Sequence, residues 1–347
     1  MHEGDGVPNR VNGHRGAGRT RIPGASFLSG ARRRSIGAAA ILAVVSLLTP
    51  AAVAVDLEYR TAVPAQTADA VSAEQRPTFL HGLTDPGRPV LQPRDHARIT
   101  AALDAHLADH DGRLAISVHE VRTGTTYAYG SEEPFTAASV VKLDLLLVLM
   151  LHAQDEKREL TAGERDLAEK MIQVSDNDTA DAIHARIGFA TGLAEGIRRL
   201  GLLRTVPDKG GSWGATTTTA SDRIRLLRTV FSDPSPLSEE NRAYVRELLT
   251  GVAPDQAWGV SAAAQEGDIT ALKNGWVPRE ADANRWTINS VGHVKGAHRE
   301  YLIAVLSDRH PDYGTGIACV EHAVTEVAGA IDTAIRATGT EAIRGVR

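Results

Sequence analysis

Cysteine is nearly absent. The 347-residue chain has one, Cys319. One thiol closes no intrachain disulfide, and without a second cysteine neither a structural zinc knot nor a lipobox-type anchor is expected. Cys319 is expected to be a small apolar residue in the core of the last helix. Excess positive charge is also missing. The formal net charge of -5 gives no electrostatic case for nucleic-acid binding. Metal-ligand spacing is missing too. The 13 histidines show no His-Glu-x-x-His pattern, and His293 and His298 read as surface or strand residues. No metal or cofactor is expected, and no internal repeat is present. What remains is ordinary for a globular protein: 42% hydrophobic and 23% charged residues. The length allows one large domain or two modest ones, plus tails.

The N-terminal region does not read as part of a fold. Residues 1–35 hold seven arginines and two acids and end in "RRRS". The uncharged stretch Ile36 to Val55 follows, and its most apolar part, Ile36 to Leu48, is short for a membrane span. Small residues at Ala52 to Ala54 complete the pattern of an export signal over 1–54, with paired arginines of the twin-arginine kind. An uncleaved anchor is the alternative. The body is expected outside the cytoplasm, membrane-bound only if that segment is retained. Residues 55–93 carry Pro64, Pro77, Pro86, Pro89 and Pro93 among polar spacers and read as a disordered tether.

Order is expected from Arg94. Ile99, Leu103 and Leu107 recur at helical spacing, and "RLAISVHEV" (Arg113 to Val121) alternates as a strand before a second short one. From Ser139 the pattern is helical for about 80 residues. Three strands return late, over Asp268 to Trp276, Arg285 to Val294 and Tyr301 to Asp308, and a helix over about Gly316 to Ala337 closes the chain. Antiparallel strands split by a helical insertion predict an α+β domain over 94–340 with an all-α lobe at about 139–218.

Three short motifs carry chemistry. Ser139 and Lys142 stand three apart at a helix start, on one face. A lysine with a lowered pKa can deprotonate a serine, and helix N-terminal amides can face an oxyanion. The plain alternative is a capping serine and a solvated lysine. Against it, Leu145 to Leu151 are apolar on every side, so that helix is buried and its lysine needs a purpose. Asp144 shares the burial, and a structural ion pair or backbone hydrogen bond is expected there. "SDN", Ser175 to Asn177, lies between two helices. Serine can relay a proton and asparagine can hold an acyl amide, although Ser175 or Asp176 would equally cap the next helix. "LKNGW", Leu272 to Trp276, lies on a strand. Lys273 would bind an anion there and Gly275 would admit a substrate backbone as an added strand. A strand ending in an Asn-Gly turn is the plain alternative.

In this order and context the set resembles the class A β-lactamase family and its penicillin-binding relatives, over Arg94 to Ala337. The resemblance implies a β-lactamase/transpeptidase-like fold, with a five-stranded antiparallel sheet flanked by helices. It implies a serine hydrolase working through an acyl-enzyme on a β-lactam, and it gives the residues roles. Ser139 is the nucleophile, Lys142 the base and Ser175 the proton shuttle. Asn177 holds the acyl side chain. Lys273, Asn274 and the strand arginine Arg285 face the substrate carboxylate, and the backbone amides of Ser139 and Trp276 form the oxyanion hole. A small-molecule β-lactam or a cell-wall peptide is the expected partner, and a monomer the expected state.

Two departures stand out. Asn274 replaces the usual threonine. Between Leu200 and Ala220 the family's glutamate, the base that activates the deacylating water, has no counterpart. The one acid between Glu195 and Asp222 is Asp208, which reads as a turn residue in "VPDKGG". General-base help is worth roughly 100- to 10,000-fold, so acylation with slow deacylation is expected. That leaves a D,D-peptidase or amidase-esterase on cell-wall peptides as the alternative, and a non-catalytic binding module as a third reading.

Overall fold

The computed structural model describes residues 91–108 and 110–344, with side chains to residue 337. The expected export signal and nearly all of the expected tether lie outside the described residues. At its end the tether reading is corrected. Leu91 is buried in the core, and Pro93 opens the first helix, where its missing amide hydrogen costs nothing.

Helix α1 spans Pro93–Ala108 and precedes strands β1 (Arg113–Glu120) and β2 (Thr126–Tyr129). A two-residue strand β3 (Phe135–Thr136) leads into the helical lobe: α2 (Val141–Asp155), α3 (Ala162–Gln173), α4 (Asn177–Arg186) and α5 (Phe189–Arg199). A second short strand, β4 (Thr217–Thr218), pairs with β3 and returns the chain to α6 (Ala220–Phe231) and α7 (Glu239–Thr250). Strands β5 (Ile269–Arg279), β6 (Arg285–Lys295) and β7 (Glu300–His310) follow, then α8 (Tyr313–Arg344). The sheet order is β2-β1-β7-β6-β5, antiparallel throughout, which leaves β5 at one edge.

Strand alternation divides the sheet between two cores. Ala115, Ala271, Val291 and Ala304 face the lobe, while Ile116, Leu272, Ile303 and Val305 join the core shared with α1 and α8. Cys319 lies in that second core, on α8, as expected. Helix α2 is buried along Val141 to Leu151, as its all-round apolar sequence requires. Helix α5 packs on it closely because Gly196 has no Cβ, which would lie 2.1 Å from Val148 Cγ2.

The run Thr216 to Thr219 has a structural account. Thr216 is buried, Thr217 and Thr218 pair with β3, and the Thr219 hydroxyl accepts from Asp222 N as the cap of α6. The buried Asp222 carboxylate in turn receives Leu203 N, Arg204 N and the Thr205 hydroxyl. The segment between α5 and α6 is thereby fixed against the lobe.

Candidate active site

From Phe135 to Leu151 every residue is buried except Ser139. It sits in a 3₁₀ turn, Ala138–Val140, that runs straight into α2. Its side chain caps neither the turn nor the helix, so the capping alternative falls away. Ala138, just before it, holds a left-handed φ of 47°, and Ser175 holds one of 57°. Such outliers cluster at functional sites, and Ser175 is bonded to Lys142, four residues beyond Ala138.

Lys142 is fully buried one turn into the lobe. Its Nζ donates to Ser175 O at 2.6 Å, Asn177 Oδ1 at 2.7 Å and Ser175 Oγ at 3.2 Å. Three acceptors match the three hydrogens of an ammonium. Burial nevertheless pulls its pKa from 10.5 down to about 8, against the opposing pull of the Asp176 and Asp181 carboxylates. Asp176 is the residue that caps α4, through Thr179 N at 2.8 Å, which leaves Ser175 and Asn177 for the cleft.

Lys273 reaches the same serine from the sheet. Its Nζ donates to Ser175 Oγ at 2.9 Å and to Asn274 O at 2.8 Å. Burial, then the charge of Lys142, hold its pKa well below 10.5. Gly275 lies against the nucleophile turn. A Cβ there would stand 2.7 Å from both Ser139 N and Val140 N, so no larger residue lets the edge strand approach this closely. Ser139, Lys142, Ser175, Asn177, Lys273 and Gly275 therefore converge.

Two residues read as substrate-binding do not join them. The pleat turns Asn274 to the opposite face, where its Nδ2 donates to Gln256 O at 2.8 Å and Trp258 O at 3.1 Å, holding the segment before β5. Its amide is committed to backbone and is not offered to a carboxylate. Arg285 is displaced because β5 runs on to Arg279, so the hairpin closes late and Arg285 pairs opposite Arg279 rather than opposite the motif. Its guanidinium bonds Asp111 at 2.9 Å instead. The side chain of Trp276 likewise faces away, against Trp258 and Tyr313, so only its backbone borders the nucleophile turn.

Three residues here escaped the sequence reading. Arg279 donates to Thr136 Oγ1, three residues before Ser139. The Trp213 ring lies 4.9 Å from Lys142 Nζ, and its Nε1 donates to Asp181 Oδ1 at 2.6 Å. Asp208 is a turn residue, as read: its carboxylate takes Ser212 N at 3.4 Å. Asp144 forms the expected ion pair, a two-point contact with Arg223 in which both side chains are fully buried.

Sheet, lobe and convergent Ser-Lys-Ser-Lys cluster define a β-lactamase-like serine hydrolase fold. The profile of the beta-lactamase enzyme family matches residues 154–331, just over half of the chain, and the chain belongs to that family. The match holds Ser175, Asn177 and Lys273 and begins after Ser139 and Lys142. The Mycobacterium tuberculosis protein LppW, named as a lipoprotein, is 25% identical over 259 residues, covering 71% of this chain and 80% of that protein. A mutant of PBP-A, in acyl-enzyme complex with penicillin-G, is similar at a TM-score of 0.60 and 19% identity, over 72% of this chain and 99% of that one. A class A beta-lactamase from Bacteroides cellulosilyticus is similar at a TM-score of 0.59 and 15% identity, over 69% and 99%. At these identities the likeness of structure speaks for the fold.

Proposed function

We propose that this chain is an extracytoplasmic serine hydrolase that β-lactams acylate at Ser139 and that releases the acyl group slowly. The observation that carries this reading is the pair of lysines bonded to Ser175 Oγ beside the one partly exposed residue of the α2 entrance. Uncharged Lys142 takes the Ser139 proton as Oγ bonds to the lactam carbonyl carbon. The carbonyl oxygen becomes an oxyanion facing Ser139 N and Trp276 N. On collapse the C–N bond breaks, and the proton on Lys142 passes through Ser175 to the leaving nitrogen. Lys273 and Arg279, in place of Arg285, take the substrate carboxylate. Slow release is supported by what borders Lys142: Asp176 is spent on capping and Asp181 on Trp213. The export-signal pattern and a relative named as a lipoprotein support a place outside the cytoplasm.

A second reading, a D,D-peptidase or amidase on cell-wall peptides, draws on the edge position of β5. An extended peptide can add to that edge as a strand beside Ser139. Mixing the protein with excess benzylpenicillin tests the first reading. A stoichiometric burst of β-lactam consumption followed by slow turnover is expected. Fast linear turnover without a burst overturns slow release, and no consumption overturns acylation.

A further inference from the structure

Trp213 has a place that packing alone does not demand. It sits in a 3₁₀ turn, Trp213–Ala215, that touches the nucleophile turn Ala138–Val140. The two turns are tied by backbone: Ala137 N donates to Thr216 O at 2.8 Å, and Thr216 N to Trp213 O at 3.1 Å. The backbone position of Trp213 is therefore set without its ring. The ring itself, half-buried on the edge of the lobe core, lies 4.9 Å from Lys142 Nζ. Its orientation is fixed from α4. Asp181 stands one helical turn beyond Asn177, on the same face, and accepts Nε1–H at 2.6 Å. Asp181 is exposed, so this charge-assisted bond forms at the solvent border of the site.

We infer that Trp213 shields the acyl-serine from water and that Asp181 is the positioning residue that holds the shield closed. The inference rests on acylation at Ser139 and adds what limits the adduct's lifetime. A flat apolar ring lies over Lys142 Nζ and offers no acceptor to orient a water there. Hydrolysis needs the water oxygen to bond to the acyl carbon while Lys142 Nζ takes one of its protons. The C–Oγ bond then breaks and Lys142 returns the proton to Ser139 Oγ, freeing a carboxylic acid that ionises. With the neighbouring carboxylates committed elsewhere, Lys142 is the base left for this sequence, and the ring over its Nζ keeps water from it.

The test follows the benzylpenicillin adduct of the full chain by intact mass, for the wild type, Trp213→Ala, Asp181→Ala and Asp181→Asn. In Trp213→Ala the adduct lifetime is expected to fall at least about tenfold, by a larger factor than any change in the acylation rate. The loss of adduct should quicken as pH rises and Lys142 sheds its proton. Asp181→Ala, an exposed change that leaves folding intact, should shorten the lifetime in the same direction. Asp181→Asn keeps an oxygen acceptor for Nε1 and removes only the charge that opposes the lowering of the Lys142 pKa, so its lifetime should stay much closer to wild type than that of Asp181→Ala. Equal lifetimes in all four proteins overturn the shield and leave acylation standing. Slower acylation in Trp213→Ala with an unchanged lifetime overturns it as well, reducing the ring to a support for Lys142. No adduct in any of the four overturns the acylation reading and the shield together.

Discussion

Lys142 and Lys273, 131 positions apart by their numbering, meet at one hydroxyl: their ammonium groups donate to Ser175 Oγ at 3.2 and 2.9 Å. Two buried cations on one oxygen repel each other, and the arrangement favours loss of a proton from one of them. Once a lysine is neutral, the Ser175 hydroxyl can donate to it, which is what a proton relay requires. Ser175→Ala should therefore slow acylation by about 100-fold or more with little change in stability. Stopped-flow acylation rates and an unfolding curve check the two parts separately.

The pH dependence follows from Lys142. Its charged form is the inactive one, and burial sets its pKa at about 8. Acylation should climb about tenfold per pH unit below that value and level off above it. Rates of benzylpenicillin acylation across pH 6 to 10, a range of about four units around the lysine pKa, give the profile. A flat profile would remove Lys142 as the base.

The two hairpin arginines should behave oppositely. Arg279→Ala removes the guanidinium bonded near the nucleophile turn and should raise the benzylpenicillin concentration for half-maximal acylation about tenfold or more. Arg285→Ala breaks a surface pair with Asp111 and a long bond to Arg309 O, both away from the nucleophile turn, and should change it less than about twofold. Saturation curves for both variants decide the assignment.

Much of this architecture is legible in the chain itself. The α2 run declares burial by being apolar on all sides, β1 declares itself by alternation, and β7 by a short continuous apolar run. The Ser139–Lys142 and Ser175–Asn177 motifs stand out because each sits at an element boundary that local pattern can locate, and Lys273 because its motif lies on a strand. The failures share a cause: the direction a side chain takes depends on register and partners. Asn274 differs from Lys273 by one step of the pleat, which sends its amide to the far face. Arg285 is misjudged because β5 runs three residues beyond Trp276 and moves the hairpin end away from the motif. Trp213 lies in a loop without periodicity, and its meeting with Lys142 exists only after α4 and the 213–215 turn have packed.

Asp144 and Arg223 bear on stability rather than chemistry. Both are fully buried, so Arg223→Met leaves an unpaired carboxylate inside the lobe and should cost about 3–5 kcal/mol. Adding Asp144→Leu to that variant should recover most of the loss, because the charge that needed a partner is gone. Urea unfolding of the single and double variants measures both.

The most direct measurement is the mass of the protein after benzylpenicillin, with peptide mapping of the adduct and Ser139→Ala alongside. One persistent adduct is expected, located on Ser139 and absent from the variant. An adduct elsewhere in the chain, or one that survives in Ser139→Ala, would contradict it.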